Sequence, residues 1–92
     1  MVGIDIERIR NFDNSIVNRV CNKNEINYIL DSTISYSEIL ERFFEIWTFK
    51  EAYFKCFENN VYFSPKTINY FDNSVNKFMF TFDDYIVHIV SE

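Results

Sequence analysis

Two parts of this 92-residue chain carry residue types suited to chemistry. The first is Val2-Gly3-Ile4-Asp5-Ile6-Glu7, where strand alternation turns Val2, Ile4 and Ile6 to one face and Gly3, Asp5 and Glu7 to the other, so that two carboxylates stand side by side. The second is Trp47-Thr48-Phe49-Lys50-Glu51-Ala52-Tyr53-Phe54-Lys55, three charges threaded through an aromatic run. At helical spacing Phe44, Trp47, Glu51 and Lys55 fall on one stripe, and Lys50 lies on the neighbouring stripe with Phe43, Ile46, Phe54 and Phe57. An ordinary surface pair between Glu51 and Lys55, contributing a few tenths of a kcal/mol, is one reading of that stripe. The other requires the helix to pack over the strand. Glu51 would then join Asp5 and Glu7, and three carboxylates with waters suit Mg²⁺, a hard cation that keeps part of its shell for a phosphate; neighbouring lysines suit the phosphate as well.

The elements that must position these groups are legible as patterns. Val2–Ile6 reads as the strand. Asp13 is expected to cap a helix ending at Val20, and Asn24 a second one holding Ile26, Ile29 and Leu30. After the polar break Asp31-Ser32-Thr33, Ser35 or Ser37 opens the longest helix, which carries both stripes and ends at Asn59-Asn60; Ser64-Pro65 forbids its resumption. The remainder alternates, and strands are expected at Thr67–Phe71, Phe78–Phe82 and Tyr85–Val90, joined by turns at Asp72-Asn73-Ser74 and Asp83-Asp84. The fold class is α+β, one continuous domain over residues 1–92 without repeats or linkers.

Composition narrows the function classes. A net charge of −5 argues against nucleic-acid binding, which needs a surplus of Lys and Arg, and no apolar run approaches the length of a membrane span. Asp5 stands where a secretory leader would be hydrophobic, so a cytoplasmic protein is expected. Cys21 and Cys56 form neither a CxxC motif nor a disulfide framework and read as buried thiols. His88 alternates with Ile86 and Val90 and reads as a structural imidazole.

Gly3-Ile4-Asp5-Ile6-Glu7 and Trp47-Thr48-Phe49-Lys50-Glu51-Ala52-Tyr53-Phe54-Lys55 resemble, in order and separation, the two signature segments of the 4′-phosphopantetheinyl transferases, G-x-D-[IV]-E and W-x-x-K-E-A-x-x-K. The resemblance implies transfer of the phosphopantetheine arm of coenzyme A to a serine of an acyl or peptidyl carrier protein. It assigns Asp5, Glu7 and Glu51 to Mg²⁺, Lys55 and Lys50 to the phosphates of coenzyme A, and Glu51, directly or through a water, to the role of base, with Lys55 beside it in catalysis. In place of the family's usual K-x-x-G-x-G, the chain reads Lys55-Cys56-Phe57-Glu58-Asn59-Asn60. The missing glycines leave a second possibility, a silent relative serving as a binding or assembly subunit. The motifs mix features of the larger two-lobed transferases with the length and start of the small synthases that modify fatty-acid carriers.

The resemblance carries two further expectations. Family sites lie between two copies of such a unit, so a homo-dimer or homo-trimer is implied, with Phe44, Phe63 and Tyr70 as candidates for the interface. Carrier proteins are acidic, and Arg8, Arg10, Arg19 and Lys23 are the basic residues that would dock one. Arg42 is free to pair with Glu38 or Glu45.

Overall fold

Ser35 starts the longest element by accepting a hydrogen bond from the Glu38 N–H at 3.2 Å, the N-cap arrangement that satisfies a donor the first helical turn leaves open. The helix that follows, α3, runs from Tyr36 to Cys56 and presents Phe43, Phe44, Ile46, Phe49, Ala52 and Cys56 to the interior. These positions come from a computed structural model, which describes residues 1–57 and 63–92. The expected helix end at Asn59-Asn60 lies outside the described residues; the last helical residue is Cys56.

Before α3 come β1 (Val2–Arg8), α1 (Ser15–Val20) and α2 (Lys23–Ile29); after it come a 3₁₀ turn (Pro65–Thr67), β2 (Asn76–Phe82) and β3 (Tyr85–Ser91). The α+β class is as expected. Three details differ. Asn22, and not Asn24, caps α2: its side chain accepts from the Glu25 N–H at 3.0 Å while Glu25 accepts from the Asn22 N–H at 2.8 Å, a reciprocal capping box. Asn14 is the cap position of α1, and Asp13 contributes by accepting from the Ser15 N–H at 2.9 Å. The strand expected at Thr67–Phe71 is absent from the described elements, because Ile68 bonds back to the Pro65 carbonyl and the Tyr70 N–H is taken by the Glu25 carboxylate at 2.7 Å. Local bonds and a side chain on α2 have claimed the donors that a ladder would need.

The sheet is antiparallel in the order β1-β3-β2. A two-residue turn joins β2 to β3, with Asp83 in the left-handed region at φ 51°. The chain's last strand therefore sits in the middle of the sheet, beside its first. In register, Gly3 faces Val90, Asp5 faces His88 and Glu7 faces Ile86. α3 packs mainly across β1 and β3 on this face. Its approach is unusually close at Gly3, where an added Cβ would lie 1.9 Å from the Ala52 carbonyl oxygen and 2.6 Å from the Cys56 nitrogen. Only a residue without a side chain lets strand and helix backbones meet there.

The consequence for β1 is an inversion of the usual amphipathic arrangement. Its glycine and its carboxylates face the helix, and its apolar residues Val2, Ile4 and Ile6 are exposed on the outer side. Phe78, Phe80, Phe82 and Tyr85 are exposed too, and the register lines Ile4 with Ile89 and Phe78, and Ile6 with Val87 and Phe80. The outer face of the sheet is thus a continuous apolar surface. Among the described residues no helix is long and apolar enough to cross a membrane.

The core lies between α3, the short helices and the inner sheet face, in two groups around Phe43-Ile46-Ile86 and Phe49-Ala52-Val90. Phe44, expected at an interface, is buried here and edge-on to Phe43. Tyr70 stacks edge-on against Phe49 and donates its hydroxyl to Glu45. Cys21 and Cys56 are free and buried, and burial pushes the Cys21 thiol up to about 12, so it stays protonated. Arg42 pairs with Glu38 at 3.0 Å. His88 is buried, with Nδ1 3.0 Å from the Thr48 hydroxyl oxygen, consistent with a structural role.

Candidate functional site

The two polar motifs meet where α3 crosses β1. Lys55, in the last turn of α3, donates to Asp5 Oδ1 at 2.9 Å and to the Ile4 carbonyl at 3.1 Å. Asp5 is almost wholly buried, whereas the Lys55 side chain is half exposed. One oxygen of Asp5, Oδ2, is buried with no hydrogen-bond partner among the described residues. Such an oxygen carries the desolvation cost of burial without the compensating bond.

Glu51, one turn before Lys55 on the same stripe, completes a field of like charges. Burial pushes its carboxyl above the usual range, and repulsion from Asp5 and Glu7 adds to the shift while Lys55 opposes it. The Asp5 carboxyl is raised for the same first reason, burial, against the pull of Lys55. Glu7 stands two residues along the strand and accepts both terminal nitrogens of Arg10 at 3.2 Å. Arg10 also donates to the Arg8 carbonyl at 2.6 Å and lies over the Phe44 ring.

Asp5, Glu7, Glu51 and Lys55 are therefore brought into one electrostatic neighbourhood, as their spacing suggested. Lys50 is not. Its ammonium is fully buried on another side of α3, donating to the Val20 carbonyl at 2.8 Å, Glu25 Oε1 at 2.7 Å and the Pro65 carbonyl at 2.8 Å. An ammonium has three protons, and all three are used. The expected role of Lys50 at a phosphate is thus corrected: one helical position before Glu51, the side chain points to the interior and ties α1, α2 and the segment after Pro65 together. The signal was available in Asn22-Lys23-Asn24-Glu25, a capping-box pattern that buries Glu25 at a helix start and leaves it in need of a cation.

The carboxylate oxygens are the donor type a hard divalent cation takes, and the orphaned Asp5 Oδ2 is the kind of atom such an ion would satisfy. In the present arrangement no three His, Cys, Asp or Glu side chains among the described residues stand close enough together to hold a metal. Lys55 and Arg10 hold two of the carboxylates instead. A half-buried aromatic layer lies next to the site and escaped the sequence reading as a cluster: Phe63 is 5.8 Å from Trp47 and 4.9 Å from Phe54, ring centre to ring centre. Of the expected docking residues, Arg8 pairs with Asp84 at 2.8 Å, Arg10 with Glu7, and Arg19 and Lys23 are exposed on the short helices.

The site's two motifs can be set beside known proteins. The model of the 4′-phosphopantetheinyl transferase superfamily matches residues 1–90, nearly the whole chain. The chain belongs to this superfamily. A curated relative described as "4′-phosphopantetheinyl transferase gsp", from Aneurinibacillus migulanus, is 39% identical over 61 residues, covering 66% of this chain. That match spans a quarter of the relative's length, so the superfamily unit seen here corresponds to part of a longer protein there. The mixed helix and strand order, with a long helix laid on antiparallel strands, is consistent with a unit of this superfamily.

Proposed function

We propose that this chain transfers the 4′-phosphopantetheine arm of coenzyme A to a serine hydroxyl of an acyl or peptidyl carrier protein. The observation that carries the reading is the Lys55–Asp5 contact with Glu51 beside it, which joins both superfamily motifs at one place. In this reaction the serine oxygen bonds to the β-phosphorus of coenzyme A, the bond from that phosphorus to the bridging oxygen breaks, and 3′,5′-adenosine bisphosphate leaves. The serine proton needs an acceptor. Glu51 is the candidate, directly or through a water, because a carboxylate beside the phosphates can also reach the incoming hydroxyl. Lys55 is half exposed on a flexible stem, able to meet phosphate oxygens. The resemblance assigns Asp5, Glu7 and Glu51 to Mg²⁺, which would neutralise phosphate charge when bound; to hold it, these side chains would have to draw closer together than they stand here.

The exposed apolar outer sheet face supports a second copy of the chain as a partner. Its exposed residues include Phe78 at 62% and Ile4 at 54%. With roughly 150–250 Å² per aromatic side chain, four half-exposed aromatics and three aliphatics offer on the order of 700 Å², close to the ~800 Å² per partner of a standard interface. Arg19 and Lys23, exposed on the short helices, are the basic residues best placed to dock an acidic carrier.

The test is incubation with coenzyme A, Mg²⁺ and a panel of apo carrier proteins, read by mass spectrometry of the carrier. Transfer to a serine is expected, with a loss of at least roughly 100-fold for Glu51→Gln, the scale of removing a general base. Coenzyme A bound without transfer to any carrier would favour the silent, assembly-type relative. Transfer undiminished in Glu51→Gln would remove Glu51 from the chemistry.

A further inference from the structure

Lys50 joins three segments at one point. Its ammonium holds the Val20 carbonyl at the end of α1, the Glu25 carboxylate in the first turn of α2 and the Pro65 carbonyl at the start of the 3₁₀ turn, at 2.8, 2.7 and 2.8 Å. The Val20 and Pro65 carbonyls are therefore no further apart than two hydrogen bonds laid end to end. The Asn22 side chain adds a tie by donating to Asn69 Oδ1 at 3.4 Å. Each residue tied in this way has a basic neighbour in the chain: Arg19 precedes Val20, Lys23 follows Asn22 and Lys66 follows Pro65. These three basic residues are exposed, while Val20, Asn22 and Pro65 are buried or half-buried. The charge of Lys66 reaches Cys21, the residue that follows α1, which places it on the same side of the molecule.

Glu25 is the single acidic residue within α1, α2 and the 3₁₀ turn, and its carboxylate is buried against Lys50. Asp13, just ahead of α1, is an exposed acid whose charge reaches Arg19. On a chain with a net charge of −5, these three elements thus carry an excess of exposed positive charge. We propose that Lys66 is the third cation of a docking platform, joining Arg19 and Lys23 to take an acidic face of the carrier protein. The cations come from three elements pinned at one junction, so their anchor points keep a fixed spacing. A carrier must match that spacing with its carboxylates, and net negative charge alone is a poorer fit. The identity of the partner rests on the transferase reading; the assembly of the platform does not.

Titration of each ¹⁵N-labelled apo carrier of the panel with the full chain, at low ionic strength and without coenzyme A, tests it. Lys66→Glu should weaken binding roughly tenfold and Lys66→Gln roughly threefold, whereas Lys66→Arg, which keeps the charge, should stay within about twofold of the unaltered chain. Added salt should narrow the gap between Lys66→Glu and the unaltered chain, because exposed charges are screened. Binding by Lys66→Glu within about twofold of the unaltered chain would overturn the platform and leave the transferase reading intact. So would a loss as large in Lys66→Arg as in Lys66→Glu. A carrier bound through Lys66 but never modified in the transfer assay would uphold the platform and overturn the transfer reaction. Failure of the unaltered chain to bind any carrier would overturn the platform.

Discussion

Replacing Lys50 by Met separates two accounts of the same residue. If it were a phosphate ligand, the substitution would weaken coenzyme A binding and leave folding nearly untouched. The structure gives a different ledger. Lys50→Met leaves the Glu25 carboxylate buried without its cation, held among the described residues by the N–H groups of Asn22 and Tyr70, and strips the Val20 and Pro65 carbonyls of the Lys50 donor. Breaking a buried pair from one side costs roughly 3–5 kcal/mol, and each stranded carbonyl adds roughly 1 kcal/mol. A loss of about 5 kcal/mol approaches the entire stability of many domains, which runs from roughly 5 to 15 kcal/mol. For a chain of this size each kcal/mol moves the melting temperature by roughly 4–8 °C, so a fall of about 20 °C or more is expected, or no folded state at all. Urea and thermal unfolding, followed by circular dichroism, measure it. A Lys50→Met protein whose unfolding free energy lies within about 1 kcal/mol of the original would refute the strut and return Lys50 to the phosphates.

His88 and Phe80 provide two independent checks. Burial, with a smaller contribution from Lys77, lowers His88 from an ordinary value of 6.5 to about 4. Between those values the unfolded chain takes up a proton that the folded chain refuses, so stability rises with pH across the window and is lost as pH falls through it, by at most roughly 3 kcal/mol. Stability curves from pH 4 to 7 should show that slope, and His88→Gln should flatten it; an unchanged slope in the variant would assign it elsewhere. Phe80→Glu, on the outer sheet face, should shift the chain towards monomer in size-exclusion chromatography with light scattering, with little change in far-ultraviolet circular dichroism. A mass unaffected by the substitution would mean that this face is not where copies meet.

How far the sequence was readable depended on whether a feature is local. The alternation at Val2–Glu7 and the stripe through Trp47, Glu51 and Lys55 are short-range periodicities, and both put their carboxylates on the sides the fold uses. Which face of β1 the helix would choose was not inferable from alternation, since apolar Ile4 and Ile6 argue for burial and a glycine argues for contact; the backbone approach at Gly3 decided it. Lys50 was misplaced because adjacent helical positions point about 100° apart, and the partner that fixes its direction, Glu25, is 25 residues away. The Thr67–Phe71 segment has strand-like composition, yet its amide at Tyr70 is claimed by that same distant carboxylate. Tertiary bonds overrode propensity at both places.

The contact at Gly3 has a bearing on how the site can respond to ligands. Because the Ala52 carbonyl and the Cys56 nitrogen leave no room for even a methyl group, β1 and α3 abut through main-chain atoms. Side chains can change rotamer at little cost, but a main-chain seam has no slack to give. The acidic strand and the helix bearing Glu51 and Lys55 must then travel as one rigid piece, with their separation set by atoms that no ordinary substitution elsewhere can alter. Adjustment at this place is left to the tips of the long side chains, which can turn while the backbone beneath them keeps its spacing.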